Sequence, residues 1–459
     1  MKNKIRNHIG FVFLLLVGLN SQAQTKKWTI EECVNYALEH NISVKQSELD
    51  IKLAAIDKKA AIGNFLPSLN AGASHSWNIG LNQNITTGLL ENQTTQFTSA
   101  SLNSNIDIYN GLQNQNRLRR AKMAVLASQY QLTKMQDDIS LFVANSFLDI
   151  LFNKENLKVQ QNQLEYDAKQ LSRTEELVSS GSVARGDLLD MKATIASDNQ
   201  KIVAAENSLL LSKLSLVQLL QLDDFQSFDS VDQNYESQDS PTMLETPESI
   251  FEKAKQERIE IKIAKSNLDL AQRDIKIARG AYQPSLSGFY SFSTRASYSD
   301  RVVGIDTGGN PILEGPLPLF DQFSNNKGHN FGLQLNIPIL NGFSAKSNVE
   351  RSKVNLEKSK IAFSQAETDL EKNVYTAFTN AKGALKTYES ALLTLSARQE
   401  AFNYAKEKYN VGLMNAFDYN QSQTLFANAQ SDVIRAKYDY IFKVKVVELY
   451  FGIPIIKKQ

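Results

Sequence analysis

The 459-residue sequence predicts an α+β membrane protein built by internal duplication, with four β-strands per chain that join a barrel shared with other copies and long α-helices that pack as coiled coils. Three observations carry this prediction. The chain repeats itself, four runs of about ten residues alternate apolar with polar side chains, and an Asn-Gly pair after each returning run opens a seven-residue apolar repeat.

The chain begins with Lys2, Lys4 and Arg6, then the apolar run Ile9 to Leu19, then Ser21-Gln22-Ala23, which sets small residues at the two positions a signal peptidase reads. Residues 1–23 are expected to be a secretory signal peptide. Its removal leaves 47 Lys and Arg against 49 Asp and Glu, a near balance that argues against a nucleic-acid partner. Cys33 is the single cysteine, which excludes a disulfide within one chain. The mature sequence has no run of about 18 uncharged apolar residues, so if it enters a membrane it must do so with strands.

The duplication sets the order of elements. Residues 37–69 (ALEHNISVKQSELDIKLAAIDKKAAIGNFLPSL) parallel 254–286 (AKQERIEIKIAKSNLDLAQRDIKIARGAYQPSL), with Pro284 lying 217 positions after Pro67. Beyond the strands the offset is 231, which aligns Gly111 with Gly342, Gly181 with Gly412 and Asp187 with Asp418. The first repeat spans 24–222 and the second 249–459; the stretch between them, 223–248, is acidic, lacks Lys and Arg, and reads as a connector.

Four strands are expected, near 68–81, 98–109, 285–298 and 330–340. Leu69, Ala71, Ala73, Trp77, Ile79 and Leu81 alternate with Ser, Asn and Gly, and Ala100, Leu102, Ile106 and Ile108 do the same on the return. In the second half the series are Leu286, Tyr290, Phe292, Ala296 and Tyr298, then Phe331, Leu333, Leu335, Ile337 and Ile339. Period two gives each strand one apolar and one polar face, and about ten residues is the length a tilted strand needs to cross a bilayer. The polar faces suit a water-filled lumen, and no other segment supplies a layer to cover the apolar faces.

Long helices follow, near 113–179 and 344–410. In the second, Val349, Leu356, Phe363, Leu370, Ala377, Ala384 and Ala391 hold one heptad position, and Val374, Ala381, Tyr388, Leu395, Phe402 and Tyr409 the other. Leu118, Val125, Leu132 and Ile139, with Val143, Ile150, Leu157, Leu164, Leu171 and Val178, continue the pattern in the first. Such a repeat specifies coiled-coil packing along helices roughly 100 Å long. Gly181 and Gly412 stop them, and shorter helices return near 187–222 and 418–450. A returning helix stacked on the helix before Pro67 or Pro284 matches the long helix in height. Four strands cannot close a barrel, because single-chain barrels begin at about eight, so the open edges require further copies of the chain.

In this order of elements, in "FLPSL" and "QPSL" before the outgoing strands, in Asn-Gly after the returning ones, and in "YNVGLMNAFDYNQSQTLF" (409–426) at the helical turn, the mature chain resembles the TolC family of outer-membrane efflux ducts. The resemblance implies a homotrimer whose 12 strands form an outer-membrane β-barrel continued by a periplasmic α-helical barrel. It implies passive export, driven by an inner-membrane transporter and joined to it by a periplasmic adaptor. By the same resemblance Asp418 matches a ring-forming acid at the pore constriction, while Gln421 stands where the family has a second one. A ring of carboxylates in a narrow pore favours cations, so one ring implies weaker cation selectivity than two. Tyr409 and Asp187 match residues of a gate latch; Met414 replaces its basic member, for which Arg185 is the candidate substitute. Val411, Gly412 and Leu413 match the tip motif on which adaptor hairpins dock, with Gly181 at the equivalent turn.

Enzymatic chemistry is not expected. His40, His75 and His329 show no ligand spacing, no cofactor or metal motif is present, and the Asp and Glu residues sit at helix-surface spacing as solvated faces or partners of Lys. Segments 82–97 and 299–329 are expected as external loops, the first holding the Asn-X-Thr matches at Asn84 and Asn92. The competing reading is a periplasmic or secreted coiled-coil scaffold without channel activity, its hairpins packed on one another.

Overall fold

A computed structural model describes residues 27–84, 88–225, 227–232 and 240–455; the expected signal peptide and part of the acidic connector lie outside these residues. A short strand β1 (Lys27–Trp28) leads into α1 (Ile30–His40). Thr29 caps α1 by accepting from the Glu32 amide at 3.2 Å, while the Glu32 carboxylate accepts from the Thr29 amide at 3.0 Å. This reciprocal box satisfies two donors the helix cannot pair itself. Asn41, at φ −60 and ψ 132, breaks the helix before α2 (Ile42–Gly63).

The chain continues through β2 (Ser68–Gln83), β3 (Leu90–Asn110), α3 (Gln113–Ser179), α4 (Arg185–Leu220) and β4 (Asp229–Ser230). The second half repeats the order with α5 (Pro247–Glu257), α6 (Ile259–Gly280), β5 (Ser285–Ser297), a hairpin β6 (Arg301–Ile305) and β7 (Pro311–Glu314), α7 (Leu319–Asn325), β8 (Gly328–Asn336), α8 (Ser344–Asn410) and α9 (Ala416–Tyr450). These elements belong to two compact units, each drawing on both halves of the sequence: unit 1 takes the described residues within 1–49, 130–263 and 364–459, and unit 2 those within 50–129 and 264–363.

In unit 1 the core gathers Cys33, Val34 and Ala37 of α1, Ile139, Val143, Phe147 and Ile150 of α3, Leu216, Val217 and Leu220 of α4, and Phe228 of the connector. Each large aliphatic or aromatic side chain so buried contributes roughly 1.5–3 kcal/mol. The connector is therefore more than a tether. Its β4 pairs in parallel with β1, and Asp229 meets Lys154 at 2.8 Å and Lys213 at 3.0 Å. The heptad residues of α3 and α8 are all buried or half-buried; the other positions of α8 are largely exposed, whereas most of those of α3 are also covered at least in part. Helix α4 departs from expectation: an 18-residue window reaches a mean hydropathy of 1.2, enough by length and composition to cross a membrane. Here it buries Met191, Leu216, Val217 and Leu220 against its neighbours.

Unit 2 holds an antiparallel sheet in the order β2-β3-β5-β8. Its register aligns the apolar series: Ala71 stands opposite Leu102, Leu102 opposite Phe292, Tyr290 opposite Phe331 and Leu286 opposite Leu335. One face therefore collects most of the apolar side chains and the other mainly Ser, Asn and Gly, with Phe97 and Phe289 among them, and among the described residues the outer edges of β2 and β8 have no strand beside them. Two loop expectations are corrected. β2 and β3 pair as far as Gln83 and Leu90, so most of 82–97 is strand and Asn92 stands opposite Leu81. Backbone pairing continues there without apolar alternation, helped by the strand propensity of Thr94, Thr95 and Thr98. Within 299–329 lie β6, β7 and α7, and His329 falls inside β8.

Candidate functional site at the helix turns

Both long helices end in the same way. Gly181 at φ +73 and Gly412 at φ +76 take the left-handed conformation that terminates a helix. The Gly412 amide donates to the Tyr409 carbonyl at 3.1 Å and the Leu413 amide to that of Lys408 at 2.8 Å; Gly181 and Ser182 repeat the pattern on Val178 and Leu177 at 3.0 and 2.9 Å. The tip this creates in the second half is apolar and open, with Val411 68 % and Leu413 78 % exposed.

The two returning helices start differently. Asn415 caps α9: its Oδ1 accepts from the Asp418 amide at 2.8 Å, and its Nδ2 donates to Asp418 Oδ2 at 2.9 Å. The Asp418 carboxylate thus holds the capping side chain in place at the helix start, and it remains exposed, as does Gln421 one turn on. Ala184 gives α4 no side-chain cap. Arg185 is exposed and Asp187 half-buried in that first turn, and among the described residues no side-chain hydrogen bond or ion pair joins either to Tyr409 or Asp418.

Tyr409 instead stacks on Tyr419 of its own chain, with ring centroids 4.6 Å apart and planes within 15°. The Tyr419 hydroxyl bonds that of Tyr166 on α3, and Phe402 packs against Tyr166, Tyr419 and Phe426. Burial, then the bond to Tyr166, drives the Tyr419 phenol far above its ordinary range. Arg173 of α3 adds a hydrogen bond to Asn410 Oδ1 at 2.7 Å. An aromatic cluster thereby fixes the turn between α8 and α9 to α3.

One turn deeper lies a pair of acids. Asp167 on α3 and Asp198 on α4 are buried, contrary to the expectation that the acids here are solvated. Gln423 of α9 donates to Asp167 Oδ1 at 2.6 Å and Gln163 to Oδ2 at 2.8 Å. Lys201 reaches Asp198 Oδ1 at 2.9 Å, and the Asp198 carboxylate hydrogen-bonds with Asp167. Burial, then the facing Asp198 carboxylate, raises the Asp167 carboxyl to about 7, against the two amides. No local pattern singles out Asp167, because its heptad position is already polar at Asn153, Gln160 and Thr174. Among the described residues no three His, Cys, Asp or Glu side chains converge as metal ligands.

Comparison with known proteins supplies the family. The chain is 23% identical to the outer membrane protein TolC of Escherichia coli (strain K12) over 434 residues, covering 93% of this chain and 82% of that protein. It is 24% identical to TolC of Vibrio cholerae serotype O1 over 344 residues, covering 72% and 70%. The crystal structure of the Campylobacter jejuni CmeC outer membrane channel superposes with a TM-score of 0.78 at 19% identity, over 94% of this chain and 87% of that one, which shows a shared fold. The family model described as outer membrane efflux protein matches residues 33–221 and 250–448, one segment for each repeat, and the chain belongs to that family of the Gram-negative outer membrane.

Proposed function

We propose that three copies of this chain form the exit duct of a tripartite export system, with 12 strands in the outer membrane and the long helices forming a periplasmic tunnel. The observation that carries this reading is the four-stranded sheet with most of its apolar side chains on one face, mainly Ser, Asn and Gly residues on the other, and open outer edges. Lipid covers the apolar face, water fills the polar side, and neighbouring copies pair the edges. Transport is passive: the duct is joined by a periplasmic adaptor to an inner-membrane transporter that drives the cargo.

In this reading Asp418 rings the constriction, with Gln421 as a neutral second ring. Tyr409 belongs to the latch, held by Tyr419, with Asp187 and Arg185 in the facing turn. Val411, Gly412 and Leu413, with Gly181 at the equivalent turn, form the adaptor dock; exposed apolar side chains on a rigid turn suit a partner surface.

Conductance across a planar lipid bilayer tests the duct. The purified protein is expected to give stable unitary steps, and Asp418→Asn to lower the preference for cations over anions; absence of any conductance would overturn the reading. Leu413→Asp is expected to leave conductance intact and to abolish export from cells. Undiminished export in that variant would remove the docking role.

A further inference from the structure

The duplication makes one interface within the chain a template for another. Inside unit 2, the start of α3 from the first half lies against α6 from the second. Arg120 Nε meets Asp274 Oδ1 at 2.5 Å and its Nη2 meets Oδ2 at 3.2 Å, a two-pronged pair. Nearby, Gly111 at φ +56 approaches Gly280 so closely that a Cβ on Gly111 would stand 2.1 Å from the Gly280 carbonyl oxygen. A Cβ on Gly280 would stand 2.5 Å from the carbonyl oxygen of Gly111. Alongside, β3 pairs with β5.

The two repeat offsets carry each partner to its counterpart. Moving β3 and α3 forward by 231 gives β8 and α8, and moving α6 and β5 back by 217 gives α2 and β2. Arg120 becomes Arg351, Asp274 becomes Asp57, Gly111 becomes Gly342 and Gly280 becomes Gly63. All four residue types are kept, and so is the conformation, since Gly342 has φ +58.

What the counterparts lack is a neighbour. Arg351 and Asp57 make no ion pair among the described residues, and a Cβ on Gly342 or Gly63 meets no atom within 4 Å. Leu53 of α2 is 59 % exposed and Val354 of α8 56 %, whereas their equivalents Leu270 and Met123 are half-buried. One chain cannot bring these surfaces together, because β2 and β8 are opposite edges of the sheet.

We infer that the α2–β2 edge of each copy receives the α8–β8 edge of the next, with Arg351 paired to Asp57 and Gly342 set against Gly63. The strand register follows from the same offsets. Leu102 opposite Phe292 becomes Leu333 opposite His75, and Ala100 opposite Thr294 becomes Phe331 opposite Trp77, which keeps the apolar faces continuous across the join. The contact is head-to-tail, the kind that builds a ring where the rotation from copy to copy closes, as a shared barrel requires. It rests on the reading that copies share one barrel.

Two measurements on the full-length protein extracted from membranes test it. With Asp57→Cys and Arg351→Cys combined, a bifunctional thiol reagent long enough to replace the Arg–Asp side-chain span is expected to give a ladder of covalent oligomers, and either cysteine alone none. Asp57→Arg and Arg351→Asp are each expected to reduce the oligomer yield about tenfold, and the double exchange to restore most of it. Native mass spectrometry reads the wild-type state. Oligomers that neither cross-link at these positions nor recover on charge exchange would overturn this pairing and leave the shared barrel standing; a wild-type protein found only as monomers would overturn both.

Discussion

Asp167 is a carboxyl whose proton is held by packing. An Asp in the unfolded chain gives up its proton near its ordinary value of 3.8, whereas burial and the Asp198 carboxylate keep Asp167 protonated to about 7. The folded state therefore binds more protons across that interval, and stability falls as pH rises from about 4 to about 7, then levels off. Thermal unfolding followed by circular dichroism is expected to show a melting temperature lower by on the order of 3 °C at pH 8 than at pH 5. Asp167→Asn keeps the shape and removes the titration, so its profile is expected to be flat; an unchanged slope would place the proton elsewhere. This residue also marks the limit of legibility at its scale. Tyr409, Asp418 and the turn glycines stand out as sequence motifs, but Asp167, Asp198 and Gln423 meet across three helices at separations no local pattern encodes. The cap that Asn415 supplies three residues before Asp418 was legible in principle, because Asn at a helix start is a cap signal.

At the scale of elements, the two Asn-Gly pairs do different physical work. Gly342 needs only its left-handed φ within one chain, while Gly111 needs both its φ and the space where it meets Gly280. Gly412→Ala, in open surroundings, is expected to cost about 1 kcal/mol from conformation alone. Gly111→Ala must also displace a backbone carbonyl, and is expected to abolish folded, membrane-inserted protein; melting temperature and folded yield distinguish the two. The glycines and the heptads were legible because each is a periodic or local constraint. The strands were legible only where apolar alternation marks them. From Leu90 to Phe97 pairing with β2 continues through a Thr- and Gln-rich stretch, and backbone hydrogen bonds extend the hairpin where side chains give no signal. The break at Asn41 and the core role of Phe228 were hidden for the same reason, since each depends on what packs against it.

For the whole molecule, the proposed duct needs more than one chain. The duplication, the alternation and the open sheet edges could all be read from the sequence, whereas the number of copies cannot follow from one chain and enters only with the proposed trimer. What the register does fix is which side chains share a face. Leu333 and Gln334 are neighbours on β8, yet the register puts Leu333 with Gly288 and the apolar face, and Gln334 with Ser287 and the polar one. If hydrocarbon covers the first face and water the second, a cation costs very different amounts on the two. Leu333→Arg is expected to destabilise the inserted protein by about 2–4 kcal/mol near mid-bilayer, and Gln334→Arg to lie within about 1 kcal/mol of wild type while shifting conductance toward anions. Urea titration of protein folded into lipid vesicles measures the first difference and bilayer conductance the second. Equal costs at the two positions would mean that both faces meet the same medium, and the sheet would then pack on protein instead of spanning a membrane.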